Sequence, residues 1–348
     1  MRYLISILLT IVMVLSVSAY SISRSVLEDY VDRMDIRTMA EQLFFVYVPN
    51  NDALPFTPGG IIPSAGILKD AYSGHRTIID KTLHNNIPPF TGIDQEGGHV
   101  NRFSFVKEFP PMSELSDMER EKAADLIDSQ ALLMKRVGIS VNFAPVVDIA
   151  DKRGANMKRM GRIISEHPDT IIDFASFYMT LMKKHRILTT LKHFPGYGNT
   201  YYNSDAGKTY YEGTIEDYST GLNVFSQLAD KSDFIMVSNL IYPFIDSMPA
   251  SMSSDIISQA RFMNKYSIII TDDIACKAHE NPFTALKTSF NAGADMFILM
   301  DHTMAKPMRD SIVEWINRDE IEEDYLKEKL LRIILRKDYL SGIIRRND

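Results

Sequence analysis

The 348-residue sequence predicts an α/β fold built as a single (β/α)8 barrel of the TIM type. Three observations carry this. Eight short segments rich in β-branched and aromatic residues read as continuous runs rather than alternating ones, as strands buried on both faces do. Segments with apolar residues at helical spacing separate most of them. Polar residues stand where the runs end, on the rim at which such barrels carry their chemistry.

In chain order the predicted strands are Leu43–Val48, Gly60–Pro63, Phe90–Ile93, Ser140–Val147, Thr189–His193, Phe234–Ser238, Ser267–Thr271 and Met296–Met300. Helical periodicity covers Ser116–Val137, Asp169–His185, Tyr218–Ala229 and Ser254–Met263. Pro168 suits the first turn of the second of these, where a missing N–H costs nothing. An open, doubly wound sheet is the lesser alternative for such alternation. With no internal repeat, low-complexity tract or linker, and with 45% hydrophobic residues, one domain with one large core is expected over residues 20–348. The stretch Arg318–Arg346 mixes both charge signs with apolar residues at helical spacing, and reads as one or two solvated amphipathic helices.

The first 19 residues read as a secretory signal. Arg2 is followed by the apolar run Leu4–Val17, and Val17-Ser18-Ala19 offers small residues for cleavage after Ala19. The run falls short of the roughly 20 residues of a spanning helix. Export to the periplasm or outside the cell, with no stable membrane insertion after cleavage, is the expectation, and an uncleaved anchor is its rival. The single cysteine, Cys276, rules out an intrachain disulfide and reads as a small packing residue. A net charge of −7 and the lack of a basic stripe exclude a nucleic-acid surface. No His-Glu-x-x-His or Cys/His spacing occurs, so no metal is expected; no phosphate loop or dinucleotide fingerprint occurs, so no cofactor is expected.

Asp94, Asp148, His193, Asn239, Asp272 and Asp301 fall at strand ends. Asp and Asn often cap the helix that follows a strand, which is the reading adopted for Asp148 and Asp301. Asp272 and Asp273 leave an apolar run together, an expensive arrangement unless the acids are paired or functional.

Four segments resemble glycoside hydrolase family 3, in its bacterial β-N-acetylglucosaminidase branch. Gly92-Ile93-Asp94-Gln95-Glu96-Gly97-Gly98-His99-Val100-Asn101-Arg102 is similar to Ile-Asp-Gln-Glu-Gly-Gly-Arg-Val-Gln-Arg. Lys192-His193-Phe194-Pro195-Gly196-Tyr197-Gly198 is similar to Lys-His-Phe-Pro-Gly-His-Gly. Thr271-Asp272-Asp273-Ile274 matches Ser-Asp-Asp-Leu, and Gly161-Arg162 through Pro168 loosely matches a segment built on Arg-Ser-Phe-Gly-x-x-Pro. The resemblance, which runs from about Met34 to Ala305, implies a sugar grip of Asp94, Arg102, Arg162, Lys192 and His193. It also implies Asp272 as the nucleophile of a retaining glycosidase.

The same resemblance exposes a departure. The family's proton donor is the His of Asp-Ser-His, and here the segment is Asn203-Ser204-Asp205. Three outcomes compete: Asp205 is itself the general acid, a loop tyrosine such as Tyr197, Tyr201 or Tyr202 delivers the proton, or the chain binds a glycan without cutting it. The resemblance implies an exo-acting β-N-acetylhexosaminidase on GlcNAc-containing glycans such as cell-wall fragments, with Asp272 and Asp205 catalytic, and a monomer is the expected state. A non-catalytic glycan-binding protein is the alternative.

Overall fold

A computed structural model describes residues 22–49, 54–74 and 87–344 of the chain. Eight parallel strands close on themselves in chain order: β1 Phe44–Val48, β2 Gly60–Pro63, β3 Phe90–Ile93, β4 Val141–Asn142, β5 Leu188–Phe194, β6 Phe234–Val237, β7 Ile268–Asp273 and β8 Met296–Leu299. β8 completes the ring against β1, with Phe44 opposite Phe297 and Val46 opposite Leu299. The fold is the predicted (β/α)8 barrel. The expected signal segment lies outside the described residues. Among the described residues no helix is long and apolar enough to cross a membrane.

Expected and observed strands agree within two residues except at β4. Ladder pairing there covers only Val141–Asn142 of the expected Ser140–Val147. Pro145 has no N–H to give a ladder, and Asn142 spends its side-chain amide on the Gln95 carbonyl and the Tyr178 hydroxyl. The rest of the segment still runs beside β5. Thr190 N–H donates to the Ala144 carbonyl at 3.0 Å and Val147 N–H to the Lys192 carbonyl at 2.9 Å. That alignment brings Asp148 alongside His193.

The helices follow their end signals. Pro168–Lys184 opens on its proline, and Ser254–Met263 holds its predicted limits. Ile215–Leu228 starts three residues before the expected Tyr218, because Thr214 and Asp217 form a capping box. The expected Ser116–Val137 is instead two helices, Met112–Asp117 and Arg120–Arg136, divided where Met118 turns extended.

Inside the barrel, Phe45 packs edge-on to Phe143 with ring centroids 5.1 Å apart, and Phe90 to Phe234 at 5.5 Å. Gly60 makes room for them: a Cβ there would lie 2.5 Å from the Phe45 ring. Burial of each such ring contributes about 1.5–3 kcal/mol.

The C-terminal helix Glu323–Ser341 is not the solvated element expected. It buries Leu326, Leu330, Ile333 and Ile334, and also Lys329 and Lys337. Lys337 Nζ donates to Gln42 Oε1 at 2.6 Å and lies 5.2 Å from the centre of the Phe90 ring. Lys329 Nζ donates to the carbonyls of Phe290 and Ala294 at 3.0 and 2.8 Å. Lysine stems cover apolar surface while their heads find acceptors, so a mixed-charge sequence still packs against the barrel. Burial holds Lys337 well below the usual lysine range.

Candidate active site

A cavity of about 460 Å³ opens at the C-terminal ends of the strands. Asp94, Arg102, Arg162, Lys192, His193, Asp205 and Asp272, all singled out from sequence, line it together. Side chains of Ile62, Phe143, Met236 and Ile298 supply apolar surface among these charges.

The loop after β3 carries one side of the charge network. Gly97 and Gly98 take φ of +86° and +56°, left-handed values that favour glycine. The turn brings Arg102 back, and its N–H donates to Gln95 Oε1 at 2.7 Å. Gln95 is held in turn by Asn142, which accepts the Gln95 N–H and donates to its carbonyl, both at 2.9 Å. Asp94 and Glu96 consequently face the cavity on a braced backbone.

Lys192, fully buried on β5, joins both acids: its Nζ lies 2.8 Å from Asp94 and 2.6 Å from Glu96. Arg162 closes the network with two parallel bonds to Glu96, Nε to Oε2 at 2.9 Å and Nη2 to Oε1 at 2.8 Å. Arg102 stands 3.7 Å from Asp94 and is half exposed. Burial opposes ionisation of Glu96, yet Lys192 and Arg162 hold its carboxyl down to about 2. Burial also opposes the Asp94 charge, and Lys192 and Arg102 outweigh it. Lys192 is raised above the ordinary lysine value because the two carboxylates overcome its desolvation.

His193 is oriented from behind. Asp148, buried, lies 2.7 Å from His193 Nδ1 and also accepts the N–H groups of His193 and Tyr197 at 3.2 and 2.8 Å. Arg162 Nη2 lies 3.2 Å from His193 Nε2. A guanidinium can only donate, so Nε2 accepts and the hydrogen sits on Nδ1, toward Asp148. The Lys192–His193 peptide is cis, as are Ala144–Pro145 and Phe194–Pro195.

Across the network stand the acids of β7. Burial pushes the Asp272 carboxyl up and the neighbouring Asp205 charge adds to it, bringing it to about 6. Asp273 also borders the cavity, but its carboxylate is spent on the backbone: Oδ1 accepts the N–H groups of Ala275 and Met300 at 3.1 and 3.2 Å. Those bonds tie the end of β7 to the end of β8. Cys276 is not the buried packing residue expected, since it is half-buried and lines the cavity. Burial pushes its thiol up to about 12, which leaves it a weak nucleophile.

Asp205 lies on an exposed 3₁₀ turn, Ser204–Ala206, capped by Asn203. Asn203 Oδ1 accepts the Asp205 N–H at 3.2 Å and Asn203 Nδ2 donates to Asp205 Oδ2 at 3.3 Å. A carboxylate at 203 would repel Asp205; an amide can hold it. The exchange at 203 therefore suits the exchange at 205.

Two functional residues escaped the sequence reading. Glu96, the centre of the network, stood within the Gly92–Arg102 motif but was given no role, although its place two residues after Asp94 between a strand and paired glycines was a usable signal. Asp148 was assigned to a cap, but it caps no helix: the next one begins at Asn156. Asp301 does cap, accepting the Thr303 N–H at 3.0 Å. Asn239 accepts from the Ser251 hydroxyl at 2.6 Å and donates to Cys276 Sγ at 3.3 Å, behind the cavity rather than in it. Among the described residues no group of three or more His, Cys, Asp or Glu is placed to hold a metal ion.

Known proteins are similar to this chain in sequence and in fold. A curated β-hexosaminidase of Tolumonas auensis is 33% identical over 229 residues, which are 61% of this chain and 66% of that protein. The chain thus spans slightly under two thirds of that relative's length. A solved family 3 glycosyl hydrolase of Mycobacterium smegmatis superposes with a TM-score of 0.78 at 21% identity, over 87% of this chain and 97% of the other. A β-N-acetylhexosaminidase of Beutenbergia cavernae gives 0.77 at 19% identity, over 87% and 98%. At those identities the solved structures speak for the fold alone. The profile of the glycosyl hydrolase family 3 N-terminal domain matches residues 58–335, most of the chain, and so the chain belongs to glycosyl hydrolase family 3.

Proposed function

We propose that the protein is an exported, monomeric glycoside hydrolase that removes terminal β-linked N-acetylhexosamine with retention of configuration. One observation carries the reading: the Asp272 carboxyl and the Asp205 carboxyl line one cavity with a preformed charge network. The names of the family relatives support the substrate class. In the proposed reaction an Asp272 oxygen attacks the anomeric carbon while its bond to the leaving oxygen breaks. Asp205 gives its proton to that oxygen. Water then attacks the glycosyl–Asp272 ester, returning a proton to Asp205 and freeing Asp272.

Charge supports the nucleophile's part of this division. A carboxyl at about 6 is mostly ionised at neutral pH, as a nucleophile must be. Glycan hydroxyls would meet Asp94, Lys192 and His193, whose geometry is fixed before any ligand arrives. Tyr197 makes a poor proton donor, because burial pushes its phenol above the ordinary tyrosine value. A second reading, glycan binding without cleavage, is favoured by the exposure of Asp205, whose carboxylate has one hydrogen bond among the described residues, from Asn203.

Aryl N-acetylglucosaminides of graded leaving-group ability separate the readings. Turnover of a dinitrophenyl glycoside needs no acid, so its absence from folded protein would sink the hydrolase. Asp272→Asn should abolish it. Asp205→Ala should spare kcat/KM for that substrate while lowering its kcat at deglycosylation, where azide restores turnover as a β-glycosyl azide, and should slow kcat/KM on a phenyl glycoside by about 10²-fold or more. N-terminal sequencing of secreted protein tests cleavage after Ala19, and light scattering tests the monomer.

A further inference from the structure

We infer that Tyr197 is a positioning residue: its hydroxyl clamps Asn203 and Ser204 and so holds Asp205 over the cavity that contains Asp272. The inference deepens the hydrolase reading and rests on it.

Tyr197 is fixed at both ends. Its N–H donates to Asp148 Oδ1 at 2.8 Å, on the same oxygen that accepts the His193 N–H. Its ring is buried, 2% exposed, and meets the His193 ring edge-on with centroids 5.5 Å apart. The flanking Gly196 and Gly198 have φ of +121° and +57°, so the turn that drives the ring inward depends on left-handed backbone on either side.

The hydroxyl does something the ring does not. Ser204 N–H donates to it at 2.9 Å, the Ser204 hydroxyl lies at 2.9 Å, and it donates to Asn203 Oδ1 at 3.3 Å. A phenol has one hydrogen and two lone pairs. If Ser204 Oγ donates, the loop uses all three. Phenylalanine at 197 would keep the burial and the His193 contact while leaving a buried Ser204 N–H without its acceptor, and an orphaned buried donor is costly. Asn203 and Asp205, bonded to each other through both backbone and side chain, follow Ser204. One tyrosine thus joins the sugar-facing network, through Asp148, to the turn that carries the proposed acid.

The test is Tyr197→Phe, read two ways. Backbone amide exchange across residues 200–207 should accelerate about tenfold or more. kcat/KM for a phenyl glycoside should fall about tenfold, while that for the dinitrophenyl glycoside changes less than about threefold. Leaving-group dependence therefore steepens, which a merely structural lesion would not produce. Ser204→Ala approaches the same hydroxyl from the loop side and should act in the same direction. It carries the comparison if Tyr197→Phe fails to fold, and the double variant should lose less than the two single effects combined. Unchanged exchange, or an equal fall on both substrates, overturns the inference. Wild type that turns over neither glycoside would count against the hydrolase reading instead, and exchange alone would then decide whether Tyr197 clamps the loop.

Discussion

Asp148 sits 2.7 Å from His193 Nδ1, so the opposite nitrogen of the imidazole is the one left to accept from Arg162. The acid never reaches the cavity, yet it selects which ring nitrogen is bare. Asparagine at 148 could accept or donate, and the selection would then rest on Arg162 alone. We predict that Asp148→Asn weakens binding of N-acetylglucosamine by about tenfold. Nitrogen NMR of the His193 ring should show mixed tautomers, and a single retained tautomer would refute the role.

The acid limb of activity follows from Asp272. The nucleophile must be ionised, and its carboxyl is raised to about 6 by burial and then by Asp205. kcat/KM on a dinitrophenyl glycoside should therefore decline as pH falls through about 6. Asp205→Asn removes the like charge, so the midpoint should move lower but stay above the ordinary aspartate value, because burial remains. A pH–rate profile with an unmoved midpoint contradicts the coupling.

The same shift has a stability sign. A carboxyl whose folded value exceeds its unfolded value of roughly 3.9 keeps its proton longer in the native state. No penalty exists below about pH 4; it grows between about 4 and 6 and is complete above 6. Asp272→Asn should accordingly stabilise the fold at pH 7.5, by on the order of 1–3 kcal/mol, while ending turnover. Urea unfolding at pH 7.5 and pH 4 measures it. A gain of equal size at both values would assign the effect to something other than charge.

Lys192 answers two acids from a fully buried position. Lys192→Met leaves Glu96 with Arg162 alone and Asp94 with the more distant Arg102. Removing one partner from a buried ion group typically costs about 3–5 kcal/mol, and that loss is predicted in urea unfolding at neutral pH. The deficit should narrow as pH drops and Asp94 accepts a proton. A variant as stable as wild type would show the network to be a weaker constraint than its distances imply.

Much of this site was legible because strand ends announce themselves. An acid after an apolar run, as at Asp94 or Asp272, has few cheap structural explanations, and the runs gave the barrel order directly. Glu96 and Asp148 were harder to find because their importance lies in partners distant in sequence: Arg162 is 66 residues from Glu96, and His193 is 45 from Asp148. The C-terminal helix misled for a related reason. Its lysines look solvated until the acceptors that receive Lys329 and Lys337 are known. Nothing local in Tyr197 announced that its hydroxyl would meet Ser204, since a turn had to bring them together.

Asp273 spends its carboxylate on the ends of β7 and β8, and this restricts its neighbour. With that backbone fastened, Asp272 cannot easily swing aside to escape the field of Asp205. Whenever both are ionised, repulsion between the two is a standing tension in the cavity. A neutral sugar in its resting state would relieve little of it. A ring acquiring oxocarbenium character would relieve much more, because positive charge would appear beside Asp272 just as Asp205 gives up its proton and turns negative. Anchoring one aspartate at the strand ends thus shapes the site for a fleeting cation rather than for the sugar that precedes it.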